Sequence, residues 1–189
     1  MGRNYTYVDN SNLFIEGQRV SAVHQKMFGA ETLYDAIRHR IVDHRWQLDY
    51  GSLYAIACGE PSQIGAAYLW GSPPPGDSFW KMVERFGFQV TTFDKSRSGK
   101  EKKVDVALAH QMTKDAYSGL IERGEDELTL VAGDKDYVPV VEDLVGAGFP
   151  VHVVFWSHAA VELQTAASSF TPLDPYLDSL TKKWAPLQP

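Results

Sequence analysis

The sequence has almost no cysteine and no long apolar run. Cys58 is the single cysteine among 189 residues, so the chain cannot form a disulfide bond within itself. This favours a reducing compartment, and we expect a cytoplasmic protein. No stretch reaches the roughly 20 apolar residues that span a bilayer, and the start of the chain lacks the apolar segment of a signal peptide. We therefore expect no membrane partner.

The sequence also lacks an overall basic excess. Its formal net charge is −6, and 44% of its residues are hydrophobic, enough for one compact domain with a substantial core. A negative total argues against non-specific nucleic-acid binding, which usually shows a basic footprint. However, five basic residues cluster directly before Asp105: Lys95, Arg97, Lys100, Lys102 and Lys103. Beside a metal site, such a cluster would attract a polyanion.

Several familiar catalytic patterns are missing. The six histidines lack metal-ligand spacing, no Ser-His-Asp arrangement is recognisable, and the glycines form no phosphate-binding fingerprint. His158 follows a predicted strand and could approach a cleft at its end. Cys58 fits a small buried apolar residue better than a nucleophile. These absences direct attention to the carboxylates.

Apolar runs alternate with helical patterns about five times, which predicts an α/β fold with a mostly parallel central sheet. The predicted strands are Tyr5–Asp9, Ile64–Trp70, Phe88–Phe93, Leu128–Ala132 and Val151–Phe155. Helical patterns cover Ala30–Asp43, Tyr50–Cys58, a segment from Asp77, Val104–Tyr117, Asp136–Val145 and Ala159–Ala167, whereas Leu13–Met27 is ambiguous. After Phe170 we expect a short edge element and a small helix. The predicted domain covers residues 1–173, and residues 174–189 form a C-terminal helix and tail.

Three acidic strings stand where strands should end or a helix should begin. They are Tyr7–Asn12, Lys103–Asp105 and Ala132–Tyr137. Ligand sites of open α/β sheets gather at the carboxyl ends of strands. Carboxylates brought together there repel one another unless a divalent cation sits among them, and hard cations prefer oxygen ligands. The pattern therefore indicates metal-assisted hydrolysis of a phosphate ester.

Each of these residues also has a purely structural interpretation. Asp9 and Asn12 suit a turn or a helix N-cap. Asp105 would favour the dipole of its helix from the first turn. One of Asp134 and Asp136 is expected to cap the helix that follows. The acids become more informative together, because the predicted architecture brings them to a single place.

The motifs also resemble a known family, the NYN domain, especially its LabA-like branch within the PIN-like nuclease superfamily. The matching segments are Tyr7–Phe14, Ala67–Ser72, Lys102–Leu108, Val131–Val141 and Ala166–Phe170. They resemble that family's Val-Asp-Gly-x-Asn opening, second strand, Lys-Gly-Val-Asp-Val segment, Ser-Gly-Asp-x-Asp-Phe-x-Pro-Leu stretch and small-residue run. Each motif is short, but their order and spacing extend over nearly the whole chain.

The resemblance implies a PIN-like three-layer fold, a Mg²⁺ or Mn²⁺ site and ribonuclease activity. It places the metal on Asp9, Asp105 and Asp134, with Asp136 and Asn12 in support. All five are candidate catalytic residues.

The chain departs from the family pattern at several positions. Asn10, Lys103 and Ala132 replace a common Gly, Gly and Ser, respectively. Ser168 and Ser169 stand where an Ala-Asp pair often precedes Phe, so one outer acidic group is missing and the number of metals stays open. No departure removes a core aspartate.

The sequence thus predicts a metal-dependent ribonuclease, with RNA favoured over DNA by the resemblance alone. Four basic residues would hold flanking phosphates: Arg97, Lys100, Lys102 and Lys103. Trp70 and Trp80 could stack bases, whereas Phe79 fits the core better. Two alternatives remain: a non-catalytic RNA- or nucleotide-binding module, and a small-substrate phosphohydrolase. Assembly into a homo-oligomer is left open.

Overall fold

A single parallel sheet organises the molecule. The computed structural model describes residues 2–72, 78–93 and 102–183, although not the side chains of Lys102 and Lys103. Its strands are β1 (Asn4–Asp9), β2 (Ile64–Gly71), β3 (Gln89–Thr92), β4 (Glu127–Val131), β5 (Val151–Phe155) and β6 (Ser169–Pro172). Their order in the sheet is β3-β2-β1-β4-β5-β6, and every neighbouring pair is parallel.

The sheet has one strand more than the five predicted, because the short edge element expected after Phe170 pairs with β5 as β6. The α/β class with a parallel central sheet is confirmed, and the arrangement is that of a PIN-like three-layer sandwich. The helices are α1 (Asn10–His24), α2 (Leu33–Arg38), α3 (Tyr50–Cys58), α4 (Ser78–Glu84), α5 (Lys102–Tyr117), α6 (Val138–Gly146), α7 (Val161–Ala166) and α8 (Leu177–Leu180).

Adjacent residues of β1 show that helices cover both faces of the sheet. Successive side chains of a strand point to opposite faces. Thr6 Oγ1 donates to the Ala57 carbonyl of α3 at 3.3 Å, whereas the Tyr7 hydroxyl donates to Asp115 Oδ2 of α5 at 2.9 Å. Helices α3 and α5 therefore lie on opposite faces. Asp9, two residues after Tyr7, ends the strand on the α5 side.

The predicted helix over Ala30–Asp43 was too long. Helix α2 has six residues and begins at a capping box, in which Thr32 and Asp35 satisfy each other's backbone N–H groups. It ends at His39, and Arg40 then adopts a φ of 55°, which helical backbone does not allow. The apolar spacing continued beyond the point at which the backbone leaves the helix.

The start of the predicted helix over Asp136–Val145 was also displaced. Lys135–Tyr137 forms a 3-10 turn capped by Asp134, and α6 begins only at Val138, with Pro139 in its first turn. Proline is tolerated there because the first N–H groups of a helix have no partner within the helix. This turn carries Tyr137 into the core.

The C-terminal segment packs on the domain through backbone contacts. Asp49 N donates to the Leu180 carbonyl and Lys182 N to the Gln47 carbonyl, each at 2.8 Å. Leu180 is fully buried. The predicted boundary at residue 173 stays a prediction. Among the described residues, none of the helices combines the length and apolarity needed to cross a bilayer.

Candidate active site

The strand order reverses its direction between β1 and β4, and the acidic residues gather at this point. From β1 the chain first builds strands toward one edge, and from β4 it builds toward the other. Such a switch point leaves a crevice outside the carboxyl ends of the two strands. Val8 pairs with Val131, so Asp9 and the turn at Asp134 extend from the same edge.

Asp9 is held from two directions. Its side chain is 4% exposed and caps α1 by accepting a hydrogen bond from Asn12 N to Oδ1 at 3.0 Å. Its Oδ2 accepts from the Tyr137 hydroxyl, also at 3.0 Å. The structural interpretation of Asp9 as a cap is therefore right, but the cap uses only one of its two carboxylate oxygens.

The Tyr137 hydroxyl stands between two carboxylates. It lies 3.3 Å from Asp105 Oδ1 in addition to its contact with Asp9, and the residue is fully buried. A hydroxyl carries one proton, so it can donate to only one of these acceptors at a time. Burial, together with the adjacent charges of Asp9 and Asp105, raises the pKa of Tyr137 far above its ordinary value. Tyr137 is therefore a neutral donor shared by the pair.

Asp105 occupies the first turn of α5 and is half-buried. Burial raises the pKa of this carboxyl, and the charges of Asp134 and Asp136 raise it further. Hydrogen bonds with Tyr137 and Asp9 act in the opposite direction and lower the pKa. Asp105 thus interacts with the charges of Asp134 and Asp136 and with Asp9 through a hydrogen bond, although these residues come from three separate chain segments.

Asp134 and Asp136 lie at the exposed mouth of this cluster. Asp134 Oδ1 accepts a hydrogen bond from Asp136 N at 3.1 Å, so Asp134 caps the 3-10 turn and Asp136 does not. Both carboxylates face solvent. They can therefore exchange contacts with a ligand at a lower desolvation cost than Asp9 would incur.

Asn12 joins the ends of the two central strands. While its N–H supports Asp9, its Oδ1 accepts from Gly133 N at 2.8 Å. Gly133 must be glycine in this arrangement, since a Cβ there would stand 2.2 Å from the ring of Phe155. Asn12 thus fixes Asp9 relative to the Asp134 turn.

His158 also reaches this edge of the sheet. Its Nε2 lies 2.8 Å from Glu16 Oε2, and Glu16 also pairs with Arg19 one turn later on α1. The histidine is therefore hydrogen-bonded to a carboxylate outside the Asp9–Asp105 pair.

Ser168 and Ser169 lie near the amino ends of the parallel strands, away from the acidic cluster, where Ser169 pairs with His152 near the start of β5. An acid at Ser169 would not face the cluster.

The predicted phosphate-binding residues lie outside the described parts of the chain. Arg97 and Lys100 fall in the undescribed segment before α5, and the side chains of Lys102 and Lys103 are not described. Their role stays a prediction.

Among the aromatic residues predicted to stack bases, Trp70 is in the core, with its ring stacked 6.2 Å from that of Tyr7. Trp80 and Phe79 pack against each other beside the acidic edge.

The donor chemistry of the cluster suits a hard divalent cation. Within the described residues, no three His, Cys, Asp or Glu side chains form a ready-made metal-binding group. Mg²⁺, however, commonly keeps several waters and takes only one or two carboxylates from the protein. Asp9 and Asp105 supply two carboxylates whose oxygens meet at one hydroxyl, and this pair fits such an ion.

Tyr137 is the site residue that sequence reasoning missed. The family pattern has Phe at this position, so a residue expected to fill the core carries a hydroxyl into the cluster. The signal available in the sequence was the polar atom of a tyrosine within an otherwise apolar position, directly after two candidate acids. A buried tyrosine hydroxyl usually finds a partner, and here both partners are acids.

An all-parallel α/β sheet with acids converging on its switch point is the class of domain that the structure defines, and the sequence comparison makes the class specific. The family model of the NYN domain matches residues 6–174, and the chain belongs to this family. The NYN domain is a family of PIN-like nucleases, which supports a nuclease-type function. The match does not distinguish the LabA-like branch, which stays a prediction.

Other comparisons bear on the fold alone. A search of curated proteins found no match. The crystal structure of a protein of unknown function from Vibrio parahaemolyticus RIMD 2210633 is similar, with a TM-score of 0.60 and 15% sequence identity. The similarity covers 91% of this chain and 93% of the other. It supports the architecture along nearly the full length of both proteins.

Proposed function

We propose that this protein is a ribonuclease that hydrolyses RNA phosphodiester bonds with Mg²⁺ or Mn²⁺. The observation that carries the proposal is the meeting of Asp9 and Asp105 at the Tyr137 hydroxyl, at the switch point of an NYN domain. Burial and the charges of Asp134 and Asp136 disfavour the ionised form of Asp105, and a cation bound at this pair would offset that cost.

Each residue has a distinct part in this proposal. Asp9 and Asp105, which are at least partly buried, would hold the ion together with the exposed Asp134. When bound, the ion lowers the pKa of water and neutralises charge on the phosphate oxygens. Asn12 keeps Asp9 in place through its backbone N–H. Asp136 adds negative charge at the mouth and raises the pKa of Asp105, so a bound cation would offset more electrostatic repulsion.

The four predicted basic residues would guide the substrate. Arg97, Lys100, Lys102 and Lys103 precede Asp105 directly in the sequence. Contacts from these residues to flanking phosphates would release counterions and make RNA binding depend on salt. They would also offset the repulsion between a polyanion and a protein of net charge −6.

The decisive experiment incubates purified protein with a mixed RNA pool in Mg²⁺, in Mn²⁺ and in chelator. We expect cleavage with the metals and none with chelator. Asp134→Asn should lower the rate by about a hundredfold, the scale of losing one group that stabilises transition-state charge. Asp178→Asn is the matched control, since Asp178 is a side chain 94% exposed on α8. Full activity of Asp134→Asn would contradict the site assignment.

The same assay separates the alternatives. RNA that binds but remains intact in both metals would indicate a non-catalytic binding module. Inorganic phosphate released from mononucleotides, with the RNA pool uncut, would indicate a small-substrate phosphohydrolase. The convergence of the acids favours turnover over simple binding, because a binding surface for RNA gains nothing from concentrated negative charge.

A further inference from the structure

A deep cavity adjoins the acidic cluster on the other side of Asp9. It has a volume of about 420 Å³ and lies between the start of α1, the segment 44–50 that leads into α3, and helix α4. Pockets of about 300–1,000 Å³ are typical of small-molecule sites. None of the residues assigned above to the ion lines it, so it is a separate feature of the same edge.

Two strand ends bring the cavity close to the proposed reaction centre. Asn10 and Ser11 line it and follow Asp9 directly, and Ser72 lines it directly after the end of β2. Gly71 packs so closely against helix α4 that a Cβ there would stand 2.9 Å from Cη2 of Trp80. The cavity therefore begins within one or two residues of Asp9.

Aromatic rings form much of the wall. The rings of Phe79 and Trp80 meet edge to face at 4.8 Å, and Phe79 meets Tyr50 in the same way at 5.5 Å. Phe14 and Trp46 contribute from α1 and the segment before α3. An aromatic wall suits a flat ligand, which gains by packing against rings.

One wall atom lacks the partner that its burial requires. Trp80 is 7% exposed, and its Nε1 is buried with no hydrogen-bond partner among the described residues. An indole N–H can only donate, and a buried donor without an acceptor is destabilising. By contrast, the Tyr50 hydroxyl in the same wall donates to Asn10 Oδ1 at 2.7 Å. Trp80 thus brings one unused donor to the wall of the cavity.

We propose that this cavity binds a nucleobase of the substrate strand, close to the phosphate that would be cleaved at the Asp9–Asp105 pair. A base offers a flat ring for stacking and acceptor atoms along its edge for Trp80 Nε1. A purely apolar ligand would leave that donor unmet, and a phosphate alone would leave the aromatic rings of the wall unused. The choice of occupant rests on the proposed nuclease function, because an unpaired base is the group that RNA places beside its backbone.

The test measures base binding in chelator, where no cleavage can contribute. Protein is titrated with AMP, GMP, CMP and UMP, and with ribose 5-phosphate as the probe without a base, and NMR follows ligand saturation transfer. We expect at least one nucleotide to bind and ribose 5-phosphate not to bind. Trp80→Phe keeps a ring and removes the donor, and it should weaken binding about fivefold, the scale of one hydrogen bond.

A pair of isoleucines provides the matched control. Ile15 lines the cavity and is 41% exposed, whereas Ile37 on α2 is 43% exposed and is not part of the wall. Ile15→Trp should fill the mouth and weaken nucleotide binding at least about tenfold, the scale of one lost base–aromatic stack. Ile37→Trp should bind as the wild type does, and equal melting temperatures would show that both variants fold.

The outcomes separate this proposal from the nuclease assignment. Equal nucleotide binding in Ile15→Trp and wild type, or equal binding of ribose 5-phosphate and the nucleotides, would overturn the base pocket even if RNA is cleaved. Nucleotide binding that is lost only in Ile15→Trp would support it even if no RNA is cleaved, in which case the nuclease proposal alone fails.

Discussion

Replacement of Tyr137 by Phe should destabilise the protein and raise its affinity for metal. The ring stays, so packing is preserved, but the hydroxyl between Asp9 and Asp105 is lost. Hydrogen bonds to charged groups contribute about 1.5–3 kcal/mol. We expect a loss of about 2 kcal/mol in the free energy of unfolding. For a chain of this size, that corresponds to a fall in Tm of about 4–8 °C.

The effect on metal binding has the opposite sign. The hydroxyl contacts Asp9 Oδ2 and Asp105 Oδ1, which belong to the two carboxylates proposed to hold the ion, so the ion competes with it. Removing a competing hydrogen bond of about 2 kcal/mol would raise the affinity for metal about thirtyfold. The rise in Tm on adding Mn²⁺ should therefore be larger in Tyr137→Phe than in wild type.

Two other tyrosines supply controls for the same chemical change. The Tyr7 hydroxyl is buried and donates to Asp115 at 2.9 Å, and the exposed Tyr117 hydroxyl donates to Asp143 at 2.8 Å. Tyr7→Phe should lose similar stability without a larger Mn²⁺ response, and Tyr117→Phe should change little. Equal Mn²⁺ responses in Tyr137→Phe and Tyr7→Phe would refute the assignment of Asp9 and Asp105 as the metal pair.

Three further predictions follow from the site and the core. Mn²⁺ or Mg²⁺ should raise Tm in wild type by binding the folded state and much less in an Asp9→Asn, Asp105→Asn double variant; an equal rise would place the ions elsewhere. Replacing three lysines by Gln should flatten the salt dependence of RNA binding, and an unchanged slope would exclude the basic segment. The lysines are Lys100, Lys102 and Lys103. Burial raises the pKa of the Cys58 thiol to about 11, so folding should become less favourable as pH rises from about 9 toward 11. A thiol reagent at pH 8 should label Cys58 only in denaturant, and rapid labelling of the folded protein would contradict its burial.

The local signals that predicted elements well were those with a physical cause inside the element. A helix was expected over Tyr50–Cys58, and α3 has these bounds because Asp49 caps it, with Asp49 Oδ1 accepting from Ser52 N at 2.8 Å. The strand Val151–Phe155 also matched because a fully buried parallel strand is a continuous apolar run. In both segments, local preference and tertiary packing agree.

The predictions of helix bounds were wrong where a sequence pattern is compatible with more than one backbone conformation. Apolar spacing over Ala30–Asp43 was consistent with a helix, but the conformation of Arg40 ended it early. The acidic string at Asp134 predicted a cap and a helix, but not the intervening turn that buries Tyr137. The cavity could not be predicted at all, because its walls come from distant segments that no local pattern connects.

The candidate site was predictable as a set of acids but not as an arrangement. Strand ends in the sequence located Asp9 and Asp134 at one edge, and the architecture required them to be neighbours. The roles of Asp9 as a cap and of Asn12 as a link to Gly133 depend on distances that only the folded chain defines. The identity of the metal ligands remains a prediction.

The pairing of β1 with β4 has a consequence for the protein during its synthesis. Asp9 leaves the ribosome 128 residues before Tyr137, its hydrogen-bond partner. A nascent chain that has completed β1, β2 and β3 still lacks Asp134 and the strand that must dock beside β1. If the protein cleaves RNA as proposed, this order of assembly keeps it inactive toward the messenger that encodes it until the segment through Tyr137 has been made.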